Sequence, residues 1–197
     1  MKAQRIQGTV ALVTGANRGI GRALTEALLT RGVRKVYATA RNPKALRGLD
    51  DERIVPLRLD VTDADQILAA AEAVSDVELI FNNAGVALAR GIAGTALLDQ
   101  ARREIEVNYL GPLQLLLRLA PVLATNGGGA VVNISSIAGL TNVPFIATYS
   151  ASKAALHSLT QAAHCLGIAC RRIDFSHASG QKGFGQRPPD AAVGARH

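Results

Sequence analysis

The sequence has no tryptophan, a single methionine and only 4% aromatic residues, so it has little with which to stack on nucleic-acid bases. Its net charge of +7 raises the question of a polyanion partner, yet the basic residues stand singly or in pairs, as at Arg34-Lys35, Arg102-Arg103 and Arg171-Arg172. Without a basic stripe interleaved with aromatics, no nucleic-acid partner is expected, and the same bias suits a small anionic ligand. The two cysteines, Cys165 and Cys170, lie five apart with no second pair to complete a zinc site; they read as free thiols, and no metal is expected. The first eight residues are polar and lack a signal-peptide core, and no uninterrupted apolar run reaches the length of a membrane span, so a cytoplasmic protein with no membrane partner is expected. With 197 residues, 48% of them hydrophobic, the chain suffices for one well-buried domain and is short for two.

Glycine is plentiful, and its placement organises the chain. The apolar run Thr9-Val10-Ala11-Leu12-Val13 leads into Thr14-Gly15-Ala16-Asn17-Arg18-Gly19-Ile20-Gly21, and a helical pattern follows at once. Gly15 can supply a positive φ, Gly19 lets backbone approach a pyrophosphate, and Gly21 lets the helix lie close on the strand. The helix N-terminus then turns free N–H groups and its positive dipole end toward an anion. The spacing places Ile20, Leu24, Ala27 and Leu28 on one helical face, and Gly32 ends it.

Further strands are predicted at 33–40, 54–59, 77–81 and 130–134, alternating with helices at 43–49, from Thr62-Asp63 to about Val74, and from about Thr95 to Ala124. Short apolar strands alternating with helices predict an α/β fold, a doubly wound parallel sheet covered on both faces, with its ligand at the C-terminal strand edge. The glycine turn, Arg41, Asp60, Asn82–Gly85 and Ser135-Ser136 all fall at such ends. At the end of the second strand there is no Asp or Glu to accept bonds from ribose hydroxyls; Ala40 and Arg41 stand there, and Arg18 sits in the turn. Two guanidinium groups suit a 2′-phosphate, which favours NADP over NAD.

In the long helical region Pro112 follows Asn108 by four residues, which frees the Asn108 carbonyl and kinks the axis. That feature serves packing or seats a proton-relay water. A mostly apolar loop, 137–148, precedes a helix opened by Tyr149-Ser150-Ala151-Ser152-Lys153, where Tyr149 and Lys153 share a face. A neighbouring ammonium is expected to bring the tyrosine from its usual pKa near ~10 toward the working range. Ser136 can hydrogen-bond the carbonyl or hydroxyl being transformed.

Together these residues resemble the short-chain dehydrogenase/reductase family over roughly residues 8–163. The motifs are the T-G-x-x-x-G-x-G turn at Thr14–Gly21, Asp60, the N-N-A-G segment Asn82–Gly85, Asn108, Ser136 and Tyr149-x-x-x-Lys153. The resemblance implies a Rossmann-type fold and an Asn108–Ser136–Tyr149–Lys153 catalytic tetrad acting with bound NAD(P) on a small carbonyl or alcohol, the Arg18/Arg41 pattern being similar to that of NADP-preferring members. It implies that tyrosine exchanges a proton with the substrate oxygen, serine holds that oxygen, lysine contacts the nicotinamide ribose and lowers the tyrosine pKa, and the asparagine carbonyl holds a water. The implied cofactor set is Gly15, Asn17, Arg18, Gly19, Ile20 and Gly21 in the turn, Arg41, Asp60 with Val61, and Asn83, Ala84 and Gly85, besides Tyr149 and Lys153. A homodimer or homotetramer through the two long helices is implied as well.

The tail departs from the family pattern. Residues 164–197 hold both cysteines, three of the four histidines and five Lys/Arg against two Asp/Glu, with no helical or strand period. The domain is therefore expected over residues 1–163 and an irregular tail over 164–197, without the sixth strand, Pro-Gly turn and substrate lid that relatives carry. The fifth strand would then be an exposed edge. Such a tail suggests an out-of-frame or alternatively spliced end, or a short natural variant, and two functions follow: a reductase with weakened catalysis, or a non-catalytic protein that binds NADP or a partner subunit.

Overall fold

The computed structural model describes residues 6–88, 96–165 and 170–173. Six parallel strands form one sheet in the order β3-β2-β1-β4-β5-β6, with β1 Val10–Val13, β2 Lys35–Ala40, β3 Ile54–Arg58, β4 Leu79–Asn82, β5 Ala130–Ile134 and β6 Cys170–Ile173. The order reverses direction between β1 and β4, the crevice where doubly wound sheets bind ligands. Successive residues of β1 point to opposite faces, and all four are fully buried. Val10 and Leu12 join the side chains of α2 (Ala64–Ala73), α4 (Gly111–Thr125) and α5 (Ala147–Cys165) in one core; Ala11 and Val13 join Leu28 of α1 (Gly19–Thr30) in the other. Burial on both faces explains strands that read as unbroken apolar runs.

Asp63 caps α2, its carboxylate accepting from the amides of Asp65 and Gln66. Gly32, with φ +75°, ends α1 as expected. The buried face of α1 is shifted by one residue from the predicted one: Gly21, Thr25 and Leu28 face inward, while Ile20 is 46% exposed and borders the cavity described below. Thr25 is tolerated inside because its hydroxyl donates to the Gly21 carbonyl at 2.9 Å. The predicted long helix is α3 (Leu97–Ile105), a π turn over Glu106–Leu110, and α4. Leu97–Thr125 as a whole is long and apolar enough to cross a membrane by length and composition, unlike any uninterrupted run in the sequence. Its Leu115, Leu119 and Leu123 are spent in the core.

The absence of a sixth strand is not what the structure shows. Cys170–Ile173 pairs in parallel with β5, Val131 opposite Cys170 through Ile134 opposite Ile173, so β5 is an interior strand. Cys-Arg-Arg-Ile carries no apolar alternation, but adding a strand to an edge is done by backbone N–H and C=O groups that almost any residue supplies. The helix also runs two residues past 163, to Cys165. Of the expected irregular tail, 164–197, residues 166–169 and 174–197 lie outside the described residues.

Candidate functional site

The glycine turn is pinned to its surroundings by side chains far away in sequence. The Thr14 hydroxyl accepts from the amides of Asn83 and Ala84, both at 2.9 Å, and the Asn83 amide donates to the carbonyls of Thr14 and Gly15 at 2.8 and 3.1 Å. Asn83 thus braces the turn. Gly15 has φ +67°, and a Cβ there would lie 3.2 Å from the Ala84 Cα. Gly21 packs so closely that an added Cβ would overlap the Gly15 carbonyl oxygen and the Asn83 amide. Gly19 differs: at φ +55° a Cβ would meet nothing within 4 Å.

The N-terminus of α1 is therefore open. Its Ncap residue, Arg18, makes no side-chain cap, and the first turn carries no acid. Free N–H groups at a helix start, without their own acceptor and facing space, fit a bound anion. A cavity of about 710 Å³ extends from this turn, lined by Gly15, Asn17, Arg18, Gly19 and Ile20, by Ala40 and Arg41, by Leu59, Asp60 and Val61, by Asn83–Val86, and by Arg103 and Val107. That volume and lining suit a dinucleotide.

Arg103, on α3, belongs to a scattered basic pair in the sequence, with no local signal of its place at the cavity. It donates to the Thr62 hydroxyl at 3.1 Å and lies 3.9 Å from Asp60 Oδ2. Asp60 Oδ1 accepts from the amide and hydroxyl of Thr62 at 3.0 and 2.8 Å. Burial pushes the Asp60 carboxyl up, but the Thr62 bonds and the charges of Arg103 and Arg41 outweigh it and hold it below its ordinary value.

Asn108, Ser136, Tyr149 and Lys153 are not among the residues lining this cavity; they cluster just beyond Gly85, which does line it. A Cβ on Gly85 would lie 3.2 Å from Asn108 Oδ1 and 3.6 Å from Lys153 Nζ. Asn108 sits in the π turn, a bulge type that often marks functional sites. Its amide bridges three elements: Oδ1 accepts from the Val86 amide at 2.9 Å, and Nδ2 donates to the Val86 carbonyl at 2.8 Å and to the Ser152 hydroxyl at 2.9 Å. Ser152 in turn donates to the Tyr149 carbonyl at 2.7 Å. Below, Asn82, Asn133 and Thr160 form a buried relay of two 2.8 Å bonds that ties β4 to β5 and β5 to α5.

Lys153 donates to the Ile134 carbonyl at 2.8 Å, and burial lowers it from 10.5 to about 8. Its Nζ lies 5.8 Å from the Tyr149 ring centroid. Ser136 lies near enough to the Tyr149 phenol to act on its ionisation. The expected lowering of the Tyr149 pKa is not found. Burial pushes the phenol up, Ser136 opposes this, and the charge of Glu104 adds to the rise. The physical reason is that desolvation of the phenolate outweighs what its neighbours return, the Lys153 ammonium being directed at Ile134. Glu104, fully buried, is the second residue that sequence reading missed; nothing in its local pattern distinguishes it from a solvated helix charge.

The profile of the short chain dehydrogenase family matches residues 9–170. Among curated proteins, the chain is 31% identical to the oxidoreductase BOA17 of Botryotinia fuckeliana, covering 93% of this chain and 73% of that one. It is 34% identical to dehydrogenase/reductase SDR family member 7B of Mus musculus, over 75% of this chain and 50% of that one. The chain thus spans between about half and three quarters of such relatives' length. A solved short chain dehydrogenase from Burkholderia cenocepacia, in complex with NADP, superposes with a TM-score of 0.80 at 40% identity, covering 87% of this chain and 72% of that one. A short chain dehydrogenase/reductase from Burkholderia phymatum, in complex with NAD, gives 0.75 at 30%, covering 87% and 66%. With its parallel sheet, glycine turn and family match over most of its length, the chain belongs to the short-chain dehydrogenase/reductase family of oxidoreductases.

Proposed function

We propose that this chain is an NADP-preferring oxidoreductase that interconverts a small carbonyl compound and its alcohol, with Tyr149 as general acid/base. The observation that carries the reading is the grouping of Tyr149, Lys153 and Asn108 beside Gly85, which borders a cavity that fits a dinucleotide. The open N-terminus of α1 would hold the pyrophosphate. Arg18 and Arg41, both exposed at the cavity, would hold a 2′-phosphate where no acid stands to accept ribose hydroxyls. The NADP bound to the Burkholderia cenocepacia relative supports a nicotinamide cofactor here. When bound, such a cofactor supplies the hydride for reduction or accepts it in oxidation.

The chain's own residues handle the proton. Ser136 would hold the substrate oxygen, and Tyr149 would deliver its proton to that oxygen in reduction or take it back in oxidation. Lys153, its Nζ 5.8 Å from the Tyr149 ring centroid, would have to turn from Ile134 toward the phenolate to compensate it. Asn108 would hold the segment after β4 in register with α5. Ile137, Leu140 and Phe145, exposed in the loop before α5, favour an apolar substrate.

The test is fluorescence titration with NADPH and NADH, then a panel of aliphatic and aromatic ketones and aldehydes. NADPH is expected to bind the tighter and to be oxidised by at least one carbonyl. Tyr149→Phe should abolish turnover with NADPH binding retained; unchanged turnover would remove Tyr149 from this role.

A further inference from the structure

We propose that Glu104 is a positioning residue of this site, one that holds the Val86–Leu88 segment against α3 and keeps a buried carboxylate on the side of the site that α3 covers. The geometry is a two-part clamp. Glu104 and Asn108 stand four residues apart along α3 and the π turn, both fully buried. Asn108 takes the Val86 N–H and C=O, and Glu104 Oε1 accepts from the Leu88 amide at 2.6 Å. Those three groups, on alternate residues, are ones a neighbouring strand would otherwise pair. Two side chains therefore stand in for a strand along the stretch leaving the Gly85 border.

The clamp alone does not require a charge. Glutamine has the same length and the same acceptor, and burying an ionised carboxylate costs several kcal/mol more than burying an amide. The charge has a consequence at Tyr149: α3 packs against α5, and the Glu104 charge and Ser136 both act on the phenol, with Lys153 one turn along α5. A carboxylate on that side opposes formation of the phenolate. Glu104 thus makes the Tyr149 phenol harder to ionise; placing it in the catalytic site rests on the function proposed above, while the clamp and the charge effect do not.

Two substitutions separate the parts. E104Q keeps the acceptor and removes the charge; E104L removes both. Amide hydrogen exchange reads the clamp at Leu88, which should stay protected in E104Q and exchange roughly tenfold faster or more in E104L. Absorbance titration of the phenols reads the charge. The chain has three tyrosines, so subtracting the same titration of the matching Tyr149→Phe protein isolates Tyr149. Its titration should move to lower pH in both variants, with the fold followed by circular dichroism, and E104L carries both readouts if E104Q does not fold. Unchanged Leu88 exchange in E104L would overturn the clamp, and an unmoved Tyr149 titration would overturn the charge effect. Where carbonyl turnover is measurable, the alkaline limb of its pH profile should move to lower pH in E104Q. Absence of turnover in the wild type would instead count against the proposed function, with exchange and titration still deciding on Glu104.

Discussion

Gly21→Ala sets two effects of opposite sign against each other. Replacing a glycine inside a helix with alanine stabilises by up to about 1 kcal/mol through propensity. Here, however, the new methyl would fall on the Gly15 carbonyl oxygen and the Asn83 amide, with the Gly15 carbonyl carbon 2.9 Å away. Backbone on one side cannot yield without moving the turn. Forcing a carbon into filled space costs about 1–3 kcal/mol. Displacing Asn83 endangers its bonds to the Thr14 and Gly15 carbonyls, each worth about 1 kcal/mol. The net is a loss of about 2–3 kcal/mol, or a Tm lower by roughly 5–10 °C in a chain of this size, with NADPH binding impaired because the turn moves. Gly19→Ala is the control. Its Cβ enters open space at φ +55°, so only left-handed strain of about 1–2 kcal/mol is incurred, yet the methyl intrudes where an anion would sit. Thermal unfolding followed by circular dichroism, with NADPH fluorescence titration on the same samples, checks both. A Tm raised by Gly21→Ala would mean that propensity wins and the close approach of α1 to the turn is not as described.

Arg41→Ala should weaken NADPH binding by about tenfold or more and leave NADH binding nearly unchanged, since only the former carries the 2′-phosphate; equal losses for both would refute the assignment. Lys153→Met tests the buried ammonium. Because the folded-state pKa is lowered from 10.5 to about 8, the wild type releases its proton earlier than the unfolded chain and gains stability as pH rises from about 8 to 10.5. Denaturant unfolding of the two proteins should therefore show their difference growing in favour of the wild type across that window, by up to about 3 kcal/mol. A difference independent of pH would place Lys153 in water. Thr160→Val keeps the shape but leaves the Asn133 amide without its 2.8 Å partner, which should cost about 1–3 kcal/mol by the same unfolding assay.

The alternation of short apolar strands with helices, the glycine turn and the candidate residues at strand ends were legible because each is a local pattern of period, turn chemistry or spacing. Pro112 marked where the long helix departs from regularity, although not that the departure is a π turn. What the tertiary structure alone decided is what depends on distance along the chain and on burial. Asn82 meets Asn133 across 51 residues and Asn83 meets Thr14 across 69, so their bracing roles have no local signature. Arg103 and Glu104 are neighbours in an ordinary charged helix, and only packing turns one toward the cavity and the other into the interior beside Tyr149. The same holds for β6, whose pairing is made by backbone groups, and for the Tyr149 phenol, where the sequence supplied a neighbouring lysine but desolvation, a property of the whole surroundings, sets the direction of the shift.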